Sequence, residues 1–313
     1  MFTKEREIES FLLEYTRSRV VVGSTVRATL NRAIEFERIF KKPFYQFSEL
    51  EILGMYKSIH AISIISLQNM NLLLKHASRW FIYYKRLNSK SAYEGIDKEL
   101  LQECVDIEKQ KSLIFSRKDL TKIQDELLNY TDKGILEMLF LGAGSNWLKE
   151  LTFFDMSQVN HKEMLICFKT GKEIKINKDV YDLIKKACEE DELISFGETL
   201  RVSRVKTHGL FKQRCNALSA NDNIDDDKDQ ERRFRFIQRR LMLISNDLGV
   251  HLTSGNIQMS GLLHYLKRGV EKTGLNFREY VKTEEAKELA NRYDIFSEFY
   301  SQILLEKFEN YFI

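Results

Sequence analysis

Proline is nearly absent from this chain of 313 residues: Pro43 is the only one. That excludes Pro-rich linkers and a Pro-punctuated all-β fold, and it favours long, uninterrupted helices. Cysteine is also scarce. Cys104, Cys167, Cys188 and Cys215 are far apart and form no CxxC pair, so neither a disulfide framework nor a metal site is implied, and the thiols read as reduced and mostly buried. No apolar run reaches the eighteen or so residues of a membrane span. The N-terminus, MFTKEREIES, lacks the apolar core of a signal peptide, which points to the cytoplasm. A large net charge is missing as well, the formal value being only +3.

Hydrophobic residues make up 43% and aromatic residues 12%, the composition of a globular protein. The length suits two domains of ordinary size. The modest net charge hides an uneven distribution. Tyr15 to Lys90 holds 13 Lys/Arg against 4 Asp/Glu, while Leu200 to Ala220 and Arg232 to Leu243 each hold 5 against none. Acid gathers in NDNIDDDKDQE (Asn221 to Glu231) and after Val270. Separated basic patches on a nearly neutral chain point to a polyanion partner with a defined footprint, against the plainer reading of solvated helix faces.

Periodicity predicts helices over about 3–17, 25–41, 49–60 and 63–87. Ser48 with Glu51 makes a capping box for the third. On the fourth, Gln68, Asn71, Lys75, Arg79 and Arg86 fall close to one polar stripe, and Arg27, Asn31 and Arg38 share a side of the second. Lys and Arg on such stripes suit phosphates, and Asn and Gln suit adenine edges. Residues 91–113 are polar and weakly periodic and read as an inter-domain linker. Further on, SRKDLTKIQDELL predicts a helix capped by Ser116. Short strands are expected at 164–168 and 173–176, turned at Thr170-Gly171. Gly197 to Gln230 reads as a long irregular segment, followed by a basic helix over 231–247. LGVHLTS looks strand-like, and Phe296 to Phe312 forms an amphipathic helix. The fold class is therefore mainly α (α+β), with a small β-hairpin in the second domain.

Ser254 to Tyr293 follows LGVHLTS with a helix-like MSGLLHYLKRGV, a second helix and a tyrosine. That layout resembles the second conserved box of the tyrosine recombinases, the phage-integrase family, which begins His-x-x-Arg-His and closes on a nucleophilic tyrosine. ILEMLFLGAGSNWLKELTFFDMSQV resembles the first box, Arg-x-Ser-Glu-Leu, keeping Glu150 and Leu151. ICFKTGKEIKI resembles the hairpin that carries a catalytic lysine, with Lys169 or Lys172 in that role. The resemblance implies a SAM-like helical core-binding domain over 1–90, a linker over 91–113 and a catalytic-type domain over 114–313.

It also implies that the chemistry is gone. Trp147 and Gln258 stand in the two arginine slots, Gly255 and Met259 in histidine slots, and only Tyr293 survives near the nucleophile slot. A phosphorane-like transition state gathers negative charge that guanidinium forks would stabilise. Among integrase-like proteins, an erased catalytic set resembles the repressors that maintain lysogeny in SPβ-type temperate phages. The implied function is a sequence-specific repressor holding double-stranded operator DNA in the host cytoplasm, without cofactor or metal. Expected DNA contacts are Arg27, Asn31, Gln68, Asn71, Lys75 and Arg79 in the first domain. In the second they are Lys169, Lys172, Arg201, Arg204, Lys206, Arg239 and Arg240. The C-terminal helix is a candidate for self-association, and an antirepressor or inducing partner is a further expectation. Two alternatives stay open: an active, divergent recombinase drawing cations from Arg201, Arg204 or Arg268, and a helical protein whose basic patches bind an acidic partner protein.

Overall fold

The computed structural model describes residues 2–17, 23–144, 148–196, 200–214 and 226–312. The chain divides into two compact units, Met1–Ser112 and Leu113–Ile313. No helix among the described residues is long and apolar enough to cross a membrane.

The first unit is helical. It runs through α1 (Glu5–Arg17), α2 (Gly23–Phe40), α3 (Glu49–Ser58) and α4 (Ile64–Tyr84), then two short helices, α5 (Lys98–Gln102) and α6 (Ile107–Ser112). Its helices bury Ile8, Phe11 and Leu12 on α1, Val26, Leu30 and Ala33 on α2, and Leu67, Leu74 and Phe81 on α4, while Ile65 and Tyr84 on α4 are exposed. The Ser48–Glu51 capping box forms, with the Ser48 N–H donating to Glu51 at 2.7 Å. Glu37 is buried although charged. Its carboxylate accepts the N–H groups of Phe2, Thr3 and Phe44, fixing the N-terminal segment against the turn after α2.

Of the linker expected over 91–113, all but Leu113 belongs instead to this unit. Tyr93, Ile96, Leu101 and Cys104 are buried in its core, and the Asp106 N–H bonds to the Ala61 carbonyl at 2.8 Å. Four apolar anchors spaced irregularly along this stretch leave no period to read, yet each fills a hole in the helical core.

In the second unit α7 (Arg117–Glu126), capped by Ser116, leads into α8 (Tyr130–Phe140) and α9 (Lys149–Thr152). β1 (Val159–Asn160), β2 (Leu165–Cys167) and β3 (Glu173–Lys175) form an antiparallel sheet in sequence order, with Ile166 opposite Ile174. After α10 (Lys178–Glu189), a second antiparallel sheet follows: β4 (Glu192–Ile194), β5 (Val202–His208) and β6 (Phe211–Arg214). Within the segment expected to be irregular, Val202–His208 and Phe211–Arg214 are thus paired strand, and 197–199 and 215–225 lie outside the described residues. α11 (Asp226–Leu248) and α12 (Ser254–Thr273) are joined by the stretch whose sequence is strand-like; it is not a strand, and Gly249 turns it at φ +64°. The unit closes with α13 (Phe277–Tyr280), α14 (Glu284–Arg292) and α15 (Tyr300–Phe308).

Helix α8 is the centre of the unit. Ile135, Leu136, Met138, Leu139 and Phe140 are all buried, and α10 and α12 pack against it. In the C-terminal segment expected as a self-association element, Leu304 and Phe308 are buried and Phe312 stacks on Phe277, while Phe296 and Phe299 are exposed.

Candidate nucleic-acid interface

The α8 helix ends at Phe140, so its last carbonyls have no partner within the helix and form the negative end of its dipole. Four side chains from three other segments donate to this turn. The Tyr293 hydroxyl donates to the Phe140 carbonyl at 2.5 Å, Arg292 Nε to that of Leu141 at 2.6 Å, Lys172 Nζ to that of Gly142 at 3.2 Å, and Gln258 Nε2 to that of Gly144 at 3.2 Å. Three of these, Tyr293, Lys172 and Gln258, are slots singled out by the sequence. The structure brings them together, and each is engaged by backbone carbonyls.

The approach requires missing side chains. A Cβ on Gly144 would lie 1.9 Å from Gln258 Nε2, and one on Gly261 would lie 1.9 Å from the Phe140 oxygen and 2.7 Å from the Tyr293 hydroxyl. Burial holds the Tyr293 phenol well above its ordinary pKa, with Arg292 only partly offsetting it. A tyrosine poised for attack needs the opposite bias.

Acid reinforces the negative end of the helix. Lys172 pairs with Asp294 at 2.8 Å and with the buried Glu150 at 3.7 Å. Burial raises the Asp294 pKa, against the pull of Lys172. Lys172, expected as a DNA contact, has a side chain only 9% exposed, because the β2–β3 turn folds back onto α9 and the residues after α14. Gly255 is exposed in the first turn of α12, and Met259 packs against the core beside α15. Trp147 lies outside the described residues. Arg292 and Asp294, on either side of Tyr293, escape sequence reading, since neither sits in a family slot. Tyr293→Phe should lower the stability of this unit by about 1 kcal/mol, the net worth of one hydrogen bond, and leave DNA affinity unchanged in a gel-shift titration.

The expected DNA contacts sort into distinct groups. Arg240 is no surface contact: it is buried and forms a bidentate ion pair with Asp132 on α8, with Nε 2.6 Å from Oδ1. Asn71 is also buried. It accepts from the Tyr56 hydroxyl at 2.9 Å and faces the Tyr93 and Ile96 carbonyls, so it supports the helical core and cannot read a base edge. Arg27 is held by Glu5 and Glu9 on α1, and Arg79 by Glu94. Gln68 and Lys75 are half-buried on the flank of α4, whose outward row is Ile65, Asn69, Leu72, Arg79 and Tyr83.

Asn31, Lys169, Arg201, Arg204, Lys206 and Arg239 are exposed. On β5 the alternation points Val202, Arg204 and Lys206 outward and Val205 inward. Glu192 on β4 approaches Arg204 to 3.6 Å without covering it. This strand is the densest array of exposed cations that the sequence singled out.

Residues 114–312 match the MrpR C-terminal catalytic domain, a domain of the tyrosine-recombinase type. The chain belongs to the MrpR family. A relative from Bacillus subtilis (strain 168), the SPbeta prophage-derived uncharacterized protein YopR, is 28% identical over 124 residues. That alignment covers 39% of this chain and 37% of YopR, so the chain spans little more than a third of the length of this curated relative. Among solved structures, the Tn1549 transposon integrase in complex with transposon right-end DNA covers 96% of this MrpR-family chain and 99% of its own, at 13% identity and a TM-score of 0.44. A lambda integrase dimer bound to a COC' core site covers 95% and 97%, at 13% identity and a TM-score of 0.43.

Proposed function

We propose that this MrpR-family protein is a sequence-specific DNA-binding repressor of a temperate phage, serving lysogeny maintenance, on a recombinase-type unit that does not cut DNA. The observation that carries this reading is the clasp on the α8 turn. Helix-end carbonyls and two carboxylates already engage Tyr293, Arg292 and Lys172 there. A phosphodiester brought there would have to displace these partners from Lys172 and Arg292, and Tyr293 would have to leave the Phe140 carbonyl and lose its proton against the desolvation that raises its pKa.

Retention of DNA binding is supported by the exposed cations on β5, which a fold that no longer served a polyanion would not need. The prophage origin of the related YopR supports a phage role. The repressor would act on DNA in the host cytoplasm.

Selection of bound duplexes from a random pool with the purified protein should enrich a defined sequence. Arg204→Glu combined with Lys206→Glu should weaken binding to it and reduce the slope of log K against log salt by about 2, roughly one for each phosphate no longer neutralised. Charge reversal at Lys75 and Arg79 tests the first unit in the same titration, and the expected result is weaker binding with a shallower slope. An unenriched pool would favour the reading in which the basic patches bind an acidic protein.

A further inference from the structure

A second site lies between the β4–β6 sheet and α11, where a cavity of about 350 Å³ opens. It is at the small end of the range for ligand pockets, about 300–1,000 Å³. Its apolar lining comes from Leu193 and Val205 on the sheet and Phe236 and Leu243 on α11. Among the described residues its charged lining is Lys212, Arg239 and Arg240. Among the described residues that line it, none is a carboxylate.

The three cations are in different states. Arg240 is neutralised from behind by Asp132 and lies over the Phe196 ring at 4.8 Å. Arg239 is exposed at the rim, and among the described residues it has no ion-pair partner. Lys212 is only 3% exposed. Its ammonium donates to the Cys188 carbonyl at 3.0 Å, and among the described residues no carboxylate lies within ion-pair distance. A buried ammonium with one neutral acceptor is costly. Glu190 and Asp191 act on it only from a distance, and burial pulls its pKa down to about 8. An anion in the cavity would relieve that cost.

We propose that this cavity binds a small organic anion, a carboxylate on an aromatic or aliphatic body, with Lys212 and Arg239 holding the anionic group and Phe236 packing on the body. A DNA backbone phosphate, flanked by sugars, is too bulky to reach a lysine this deeply buried. The inference is independent of whether the protein represses transcription.

The test uses the full chain, with 3-phenylpropionate as the probe in ligand-observed NMR and 3-phenylpropan-1-ol as its neutral counterpart. The acid should bind, and the alcohol should bind at least about tenfold more weakly, the worth of one charge-assisted hydrogen bond. Arg239→Ala, at an exposed position where folding is not at stake, should weaken the acid severalfold. Lys212→Met, which keeps the buried volume, should abolish its binding. Equal binding of acid and alcohol, no binding of the acid, or unchanged affinity in Arg239→Ala would each overturn the assignment. Loss of DNA affinity in Arg239→Ala, with no effect of the wild-type protein on the acid's NMR signals, would overturn the assignment and give the residue to DNA instead.

Discussion

Arg240→Ala should destabilise the second unit by about 3–5 kcal/mol, the range for removing one partner of a buried ion pair. The cost is not the loss of attraction alone. Asp132 on α8 is fully buried and also accepts from Asn129 at 3.0 Å. Asn129 in turn exchanges hydrogen bonds with the backbone of Ile194, accepting at 2.7 Å and donating at 3.1 Å. Removing the guanidinium leaves a carboxylate stranded in a network that ties α8, α11 and β4. Asp132→Asn with Arg240→Met should recover most of the loss, since the charge is then gone with its partner. Urea unfolding of the two variants, read at the transition of the second unit, checks both statements. A single-variant loss below about 1 kcal/mol would place the pair among weak surface bridges.

Gly261→Ala should cost a further distinct amount, roughly 2–3 kcal/mol, although alanine gains about 1 kcal/mol over glycine as a helix former. The added methyl has nowhere to go: the obstacle 1.9 Å away is the backbone oxygen of Phe140, not a side chain that can turn aside. α12 must move off α8, and the Tyr293 hydrogen bond is lost with it. Tyr293→Phe should not rescue Gly261→Ala, because it removes the hydroxyl clash and leaves the backbone clash. Thermal unfolding of the single and double variants measures this. A neutral Gly261→Ala would show that the two helices are not held as closely as described.

Local structure is legible in the sequence where the cause is local. The stripes on α1 and α2, the caps at Ser48 and Ser116 and the Thr170-Gly171 turn each follow from residues a few positions apart. Burial of polar side chains is not legible. Asn71, Lys172 and Arg240 look like surface residues in any window, and each is buried by a partner distant in sequence; Asp132 is 108 residues from Arg240. The sheet β4–β6 escapes a pattern search because inward Val205 and outward Val202 share one alternating strand, which blurs its two faces. The slots Gln258 and Tyr293 are found by position. That their hydrogen bonds go to the α8 turn depends on the glycines that let the chains approach.

The most direct test of a DNA-binding unit that does not cut is a nicked suicide duplex carrying the selected sequence, incubated at protein concentrations that saturate a gel shift. A shifted complex with no covalent protein–DNA adduct under denaturing conditions is the predicted result. An adduct that disappears in Tyr293→Phe would contradict it, and would mean that Tyr293 leaves the Phe140 carbonyl when DNA is bound.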